Sequence, residues 1–404
     1  MTRTNDNAWL RRFAIITAAS TLILICIGGV VTSKGVGMAV PDWPTTYGYN
    51  MFFFPFSKWV GGIFYEHTHR LVASGVGLLT TVLALWLFGR KARPLLRWLG
   101  ICLLLGGIGA GLFLRVQDAL VLGVVGVLSL CASFVWPSGE PAPPRLRRLG
   151  IIAFAAVVLQ GVLGGLRVTE MKDEIGIFHA TLAQLFLALT CVIALFLTRW
   201  WQNLAGQKLE SVGKGWRLFF VSSTALVLAQ LVLGATMRHQ HAGLAVPDFP
   251  LAYGRIWPAM DAASVAQYNQ HRFEATAHNP ITAFQIGVHM AHRIVALAIL
   301  ITVGGAAWRT TWRLGMKNPL TRLSLAWFCL ILVQAVLGAM TVLTNKAADI
   351  ATAHVAVGAL ALVTGSFLSV ISFRLSVPVG ASSPAAHESA AMFSTPFATG
   401  GRVQ

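Results

Sequence analysis

Long apolar stretches recur along this chain and are separated by polar segments, most of them short. Ten of these stretches are long enough to cross a bilayer as α-helices. They predict spans at residues 13–33, 61–88, 97–114, 119–136, 149–167, 176–198, 218–237, 284–307, 323–343 and 351–373. Because 56% of the residues are hydrophobic and only 11% are charged, the composition excludes an ordinary soluble domain. The pattern predicts an all-α polytopic membrane protein.

Basic residues give the chain a net charge of +17, and their positions decide what that charge means. Lys and Arg cluster in alternate loops, for example at residues 11–12, 90–97 and 145–148. This distribution is typical of cytoplasmic loops and predicts that both termini are cytoplasmic. No basic groove or stacking platform accompanies the charge, so we expect no nucleic-acid partner. The five cysteines stand singly on predicted helices, which favours packing over metal or redox roles.

The sequence contains an internal repeat. "GVGMAVPDWPTTYG" at residues 35–48 returns as "HAGLAVPDFPLAYG" at 241–254, and "QGVLGGLRVT" at 160–169 returns as "QAVLGAMTVLT" at 334–344. The order is the same in both halves, which predicts two tandem copies of one membrane unit. Each unit has a helix, a loop with PD(W/F)P, a helix that opens with His-Arg, a helix with the QxVLG run, and a helix that opens with His.

One copy is longer than the other. His69 and His179 lie 110 residues apart, whereas His292 and His354 lie 62 apart, and the excess of 48 matches an extra helical hairpin and its linker. We therefore predict two tandem pseudo-symmetric four-helix bundle units, with a hairpin inserted in the first. An even number of helices per half makes the repeat axis run along the membrane normal. The first predicted half comprises residues 10–200, with the hairpin at about 97–136, and the second half comprises residues 217–375. A disordered cytoplasmic tail is predicted at 376–404.

Four histidines open predicted helices at corresponding places in the two copies: His69 and His179 in the first, His292 and His354 in the second. Within each half, two imidazoles come from two different helices. That is the arrangement needed to clamp an iron porphyrin from both faces. The alternative is four interfacial histidines, but ionisable groups are costly in membranes and these recur in both copies.

Other polar residues near these histidines have a local interpretation as well as a functional one. A lone histidine near a helix end usually bonds locally, and we interpret His67 and His239 in this way. Arg70 and Arg293 directly follow a candidate ligand, so their guanidinium groups would pair with heme propionates. The alternative for the arginines is simple interfacial snorkelling.

Glu66 breaks the symmetry of the polar residues around the matched histidines. It stands three residues before His69 on the same helix face, whereas the second copy has His289 at that place. One altered residue in a duplicated site indicates divided labour, so we predict that the first site does the chemistry. Glu66 would move protons or stabilise positive charge; the alternative is a structural pair with Arg70. The PD(W/F)P loops are interpreted as lids over the sites or as turns that cap the bundle.

These features together resemble the heme A synthase family. The resemblance rests on Glu-x-x-His-Arg at 66–70, "GGVVTSKGVGMAVPDWP" at 28–44, the QGxLGxxxV run, the later helix histidine, and a second copy with His-Arg. It covers about residues 10–375 apart from the hairpin. Two features depart from the family: residues 34–60 lack the cysteine pair that members often carry, and ten predicted spans exceed the usual eight.

The resemblance implies that the chain oxidises the C8 methyl group of heme O to a formyl group, giving heme A for terminal oxidases. It implies that His69 and His179 hold the substrate heme, that His292 and His354 hold a heme b cofactor, and that Glu66 is the catalytic carboxylate. The implied location is the bacterial inner membrane. The implied partners are lipid, the farnesyltransferase that produces heme O, and an unidentified electron acceptor; self-association is left open.

Two other functions compete with this one. A bis-histidine di-heme b protein that carries electrons from quinol explains the histidines and the repeat, but it does not explain Glu66. A transporter built from repeats would place polar groups near the bilayer midplane, whereas these histidines lie near one end of their helices. Bis-histidine iron has no open position for oxygen. Therefore either a ligand leaves, or hydrogen is removed by electron and proton transfer with water supplying the oxygen.

Overall fold

The structure is a computed structural model that describes residues 7–113, 116–204, 213–270 and 280–375. Ten α-helices in the described part are long and apolar enough to cross a membrane, which confirms the predicted spans and the all-α polytopic fold. In chain order the helices are α1 (Ala8–Ser33), α2 (Gly61–Leu87), α3 (Ala92–Phe113), α4 (Val116–Val135), α5 (Pro144–Glu170), α6 (Asp173–Phe196), the short α7 (Arg199–Asn203), α8 (Lys214–His239), the short α9 (Ala262–Gln270), α10 (Ala283–Leu314), α11 (Pro319–Leu343) and α12 (Ala348–Arg374). The predicted tail at 376–404 lies outside the described residues.

Several helices continue past the apolar windows that predicted them. The window at 284–307 corresponds to α10, which runs seven residues further, to Leu314. Its start is fixed by a capping box, in which Thr282 and Gln285 bond each other's backbone amides. Its last turns contain Arg309 and Arg313, which are good helix formers. Hydropathy marks only the apolar length, whereas backbone hydrogen bonding continues through the polar ends.

The spanning helices other than α3 and α4 form two bundles with separate cores. Helices α1, α2, α5 and α6 pack around one core, and α8, α10, α11 and α12 around the other. The bundles meet where α1 and α6 contact α8 and α12. At this junction Leu187 of α6 packs against Ala359 and Val363 of α12. Two tandem units are expected to give this arrangement; the exact domain boundaries stay a prediction.

Helices α3 and α4 form the inserted hairpin, and they pack mainly against each other. Small residues bring their backbones close together, because a Cβ on Gly100 would lie 2.9 Å from the carbonyl oxygen of Gly126. Asn50 of the first loop donates a hydrogen bond to Asp118 at the start of α4, at 2.9 Å. The hairpin sequence contains no histidine, so it contributes no candidate ligand.

The first PDWP loop folds into a compact turn after α1. The Asp42 carboxylate accepts hydrogen bonds from the amides of Tyr47 at 2.7 Å and Gly48 at 2.8 Å. The Tyr47 hydroxyl donates to the carbonyl of Ala39 at 2.6 Å. The same loop forms a two-stranded antiparallel ladder, β1 (Thr45–Thr46) with β2 (Tyr49–Asn50). These bonds make the loop a defined structure.

The second loop repeats this turn after α8. Asp248 accepts from the amides of Tyr253 and Gly254 at 2.7 and 2.8 Å, and the Tyr253 hydroxyl donates to Ala245 at 2.6 Å. The Trp43–Pro44 and Phe249–Pro250 peptide bonds are both cis. Five spans lie between α1 and α8, so these two helices cross the membrane in the same direction. The turns that follow them therefore lie on one side of the bundles. We call this the turn side.

Candidate functional site

Each of the four matched histidines packs against a glycine on a neighbouring helix. A Cβ placed on that glycine would lie 3.0–3.3 Å from Cε1 of the imidazole, which is closer than side chains normally approach. The contacts are His69 with Gly28, His179 with Gly164, His292 with Gly234 and His354 with Gly338. We call these four glycines the glycine seats. Any larger residue would displace the ring that the seat receives.

The structure brings the histidines together in the predicted pairs. His69 interacts electrostatically with His179, and His292 interacts with His354. All four rings are half-buried, and in all four Nδ1 is buried with no hydrogen-bond partner. Buried polar atoms normally have partners, so these four rings lack the Nδ1 hydrogen bond that an ordinary structural histidine makes. Neutral imidazole is a common ligand of heme iron, so these residues fit a heme at each pair.

The histidines do not form part of a site for a bare metal ion. Among the residues that the structure describes, there is no group of three or more His, Cys, Asp or Glu side chains arranged to hold one. Structural and catalytic metal ions generally need at least three protein ligands. An iron that is already held by porphyrin nitrogens needs only axial ligands, which a histidine pair supplies.

Three glycine seats have a glutamine one turn earlier on the same helix, in the sequence Q-x-x-x-G: Gln160, Gln230 and Gln334. Gln160 and Gln230 donate from Nε2 to the backbone carbonyls of His179 and His292, both at 2.9 Å. Gln334 Nε2 lies 3.4 Å from Nε2 of His354 itself. These contacts fix the ligand-bearing helices against the helices that carry the seats. We did not predict from the sequence that these glutamines position the helices, although the repeated QxVLG run contained the signal.

Glu66 is buried, with 3% of its surface exposed, and both carboxylate oxygens are bonded. Oε2 accepts a hydrogen bond from the Val40 amide at 2.8 Å, and Oε1 forms an ion pair with Nη2 of Arg70 at 2.7 Å. The structural alternative predicted for Glu66, pairing with Arg70, is thus present. Glu66 also lies about one turn before His69 on the same face of α2. Its catalytic role stays a prediction.

Arg70 and Arg293 hold the turns against the helices that carry the ligands. Arg70 donates to three carbonyls of the first turn at 2.7–3.0 Å: Val40, Asp42 and Thr45. Arg293 donates to two carbonyls of the second turn, Asp248 at 2.6 Å and Leu251 at 2.8 Å. The predicted pairing of these arginines with propionates would therefore compete with bonds to the turns.

The two halves differ at the position of Glu66. His289 takes this place in α10, with 2% of its surface exposed, and its Nδ1 lies 3.2 Å from the carbonyl oxygen of Ala242. Arg70 has a carboxylate partner four residues earlier, whereas Arg293 has an imidazole there. The structure therefore retains the asymmetry that the sequence indicates.

The remaining singled-out residues lie around this framework. His67 is fully buried between the rings of Phe54 and Trp59, and its Nδ1 lies 3.2 Å from Oγ1 of Thr46. The ring of Trp43 lies where a Cβ on Gly165 would overlap it. The first turn thus contacts α5 beside one of the glycine seats, which both a lid and a capping turn would do.

Comparison with known proteins gives the family. A sequence model of COX15-CtaA, described as cytochrome oxidase assembly protein, matches residues 119–365. The chain belongs to the COX15-CtaA family. The matched region contains His179, His292 and His354. It also contains all of α6 and α8, and α12 as far as residue 365.

Curated relatives of this COX15-CtaA member carry the name heme A synthase. The protein of Alkalihalophilus pseudofirmus is 22% identical over 370 residues, covering 90% of this chain and 98% of its own. That of Geobacillus kaustophilus is 23% identical over 353 residues, covering 85% and 86%. That of Rhodopseudomonas palustris is 29% identical over 245 residues, covering 60% and 63%. The resemblance to heme A synthases is confirmed.

Proposed function

We propose that this multi-pass membrane protein is a heme A synthase, which oxidises the C8 methyl group of heme O to the formyl group of heme A. One observation carries the proposal: two matched pairs of glycine-seated histidines, of which the first has Glu66 three residues before a candidate ligand where the second has His289. Curated relatives that span almost the whole chain carry the same activity in their name.

In this proposal the two bundles have different tasks. His69 and His179 of the first bundle (10–200) bind the substrate, heme O. His292 and His354 of the second bundle (217–375) bind heme b. A heme at the second pair supplies one-electron redox chemistry, which suits removal of electrons from the substrate methyl group. The inserted hairpin (97–136) packs mainly on itself, and its sequence contains no histidine that could serve as a ligand.

Glu66 is the residue that makes the first site reactive. Oxidation of a methyl group withdraws electrons and protons from one carbon, so positive charge develops on the substrate. A fixed carboxylate stabilises such charge without reorganising. The Val40 amide and Arg70 hold Glu66 in place at 2.8 and 2.7 Å. This charge-stabilising role needs no change in those bonds, whereas a proton acceptor would weaken them.

Location and partners follow from the same assignment. Both termini are cytoplasmic in the bacterial inner membrane, and the turn side with both histidine pairs faces outward. Heme O reaches the protein through the lipid from the farnesyltransferase that produces it. The remaining partner is an unidentified electron acceptor. The alternative function, a di-heme b electron carrier, uses the same histidines but gives Glu66 no task.

The test compares Glu66→Gln with wild type in cells that produce heme O. Wild type is expected to form heme A, whereas the variant retains heme b and accumulates unconverted heme O. Glu170→Gln is the control, because Glu170 is an exposed carboxylate at the end of α5 and should leave conversion intact. Extracted hemes are separated by chromatography. Normal heme A formation by Glu66→Gln would contradict the role of Glu66, and heme B alone in both wild-type sites would favour the electron carrier.

A further inference from the structure

Two half-buried arginines lie at the junction of the bundles on the turn side. Arg167 follows the seat Gly164 by one turn of α5, and Arg238 follows the seat Gly234 by one turn of α8. Both are only partly exposed. Each half therefore sends one cation just beyond a glycine seat, in the direction of the turns.

Each arginine bonds to the other half of the molecule. Arg167 Nη1 lies 2.7 Å from Nδ1 of His239 on α8. Arg238 Nη2 donates to the carbonyl oxygen of Gly29 at 2.5 Å and to the hydroxyl of Ser33 at 2.7 Å, both on α1. The two bundles are thus joined by reciprocal arginine contacts at this level.

A glycine on α6 makes room for the Arg167 contact. A Cβ on Gly176 would overlap Nη1 of Arg167 and would lie 2.6 Å from Cε1 of His239. Gly176 stands three residues before His179, on the same face of α6. The guanidinium therefore reaches past the start of α6, directly above the face that carries a candidate ligand of the first site.

No carboxylate neutralises these cations within the described part of the chain. Neither arginine forms an ion pair there, in contrast to Arg70, which pairs with Glu66. Asp173 and Glu66 act on Arg167 only over longer distances. Arg167 and Arg238 also repel each other. Two like charges brought together inside a membrane protein are unfavourable unless an anion accompanies them.

We propose that Arg167 and Arg238 form one anion site shared by the two histidine pairs, and that it binds porphyrin propionates. The inference rests on the proposed function, because it takes heme as the ligand of those pairs. Propionates are carboxylates, and guanidinium groups bind carboxylates strongly. Arg70 already pairs with the Glu66 carboxylate, whereas Arg167 and Arg238 form no ion pair in the described part of the chain.

The repeat supports a dedicated role for these two residues. In the register of the glycine seats, Arg167 corresponds to Thr341 of α11, and Arg238 corresponds to Thr32 of α1. The cations are therefore not copied features of the unit. They occur once in each half, at the two places that face the junction, which is where one site can serve both pairs.

The test measures whether binding depends on the propionate charge. Full-length protein from heme-starved cells is titrated with hemin and with hemin dimethyl ester, which lacks the carboxylates, while the bis-histidine absorption is followed. Wild type is expected to bind hemin at least about tenfold more tightly than the ester, because one charge-assisted hydrogen bond contributes about that factor to the affinity. Arg167→Met/Arg238→Met should lose this preference and keep its affinity for the ester.

The controls separate the possible failures. Arg148→Met removes an exposed arginine at the opposite end of α5 and should keep the full preference. A full preference in the double variant would overturn the inference while leaving the proposed function intact. If wild type forms no bis-histidine spectrum with either porphyrin, the proposed function fails, and the inference fails with it. If the double variant binds neither porphyrin, the single variants Arg167→Met and Arg238→Met decide: a weakened preference in either one supports the site, and an unchanged preference in both overturns it.

Discussion

The glycine seats give the sharpest quantitative prediction, and Gly338→Ala is the substitution to make. The added Cβ would lie 3.1 Å from Cε1 of His354 and 3.7 Å from Nδ1. Carbon atoms in good contact are about 3.5–4.0 Å apart, so the ring must move by roughly 0.5 Å. That is about the tolerance within which a binding geometry must be held. We therefore expect heme b affinity to fall about 10- to 100-fold, as for other changes around a metal ligand.

The same substitution should not harm the helix itself. Alanine favours a helix interior by roughly 0.5–1 kcal/mol over glycine, so a loss of heme cannot come from a weaker α11. Gly287→Ala on α10 is the matched control, because its Cβ would meet no atom within 4 Å. Heme b is counted by pyridine hemochrome spectra, and its affinity is measured by titration into the heme-depleted protein. Equal heme b affinities in wild type, Gly287→Ala and Gly338→Ala would refute the claim that Gly338 positions His354 for binding.

Two other predictions concern the ligands and the first turn. His292→Ala or His354→Ala should lose the heme b of the purified protein, whereas His69→Ala should keep it; loss in all three variants would contradict the division of sites. Partial burial raises the pKa of Asp42, but hydrogen bonds from Thr45, Gly48 and Tyr47 outweigh this effect and lower it below the usual aspartate value. The lowered pKa stabilises the turn above the ordinary aspartate range, and this stability is lost as the pH falls through the folded-state value. Amide exchange at Tyr47 and Gly48 should accelerate in acid beyond its intrinsic rate, and Asp42→Asn should remove this pH dependence.

The fold was largely predictable because its signals are local. Apolar length gave the ten spans, and two copies of one ordered motif set gave the four histidines and the place of the hairpin. The helix ends were less accurate, since polar turns such as those after residue 307 in α10 continue the helix beyond its apolar part.

The candidate site residues were visible in the sequence, whereas their contacts were not. The spacing of Glu66 and His69 on α2 was visible, whereas the Val40 amide that binds Glu66 comes from a turn 26 residues away. Arg167 and Arg238 gave no signal, because their significance depends on two bundles meeting. Their partners His239 and Gly29 lie 72 and 209 residues away.

The central claim is that one histidine pair holds a substrate that is converted while the other holds a heme that is not. The most direct measurement supplies heme O and an electron acceptor to the purified protein, which contains heme b, and follows both by chromatography. The account predicts that heme O decreases in step with the appearance of its hydroxylated intermediate and heme A, while the amount of heme B stays constant. Heme O that binds with a bis-histidine spectrum and remains unconverted, or loss of heme B during the reaction, would contradict it.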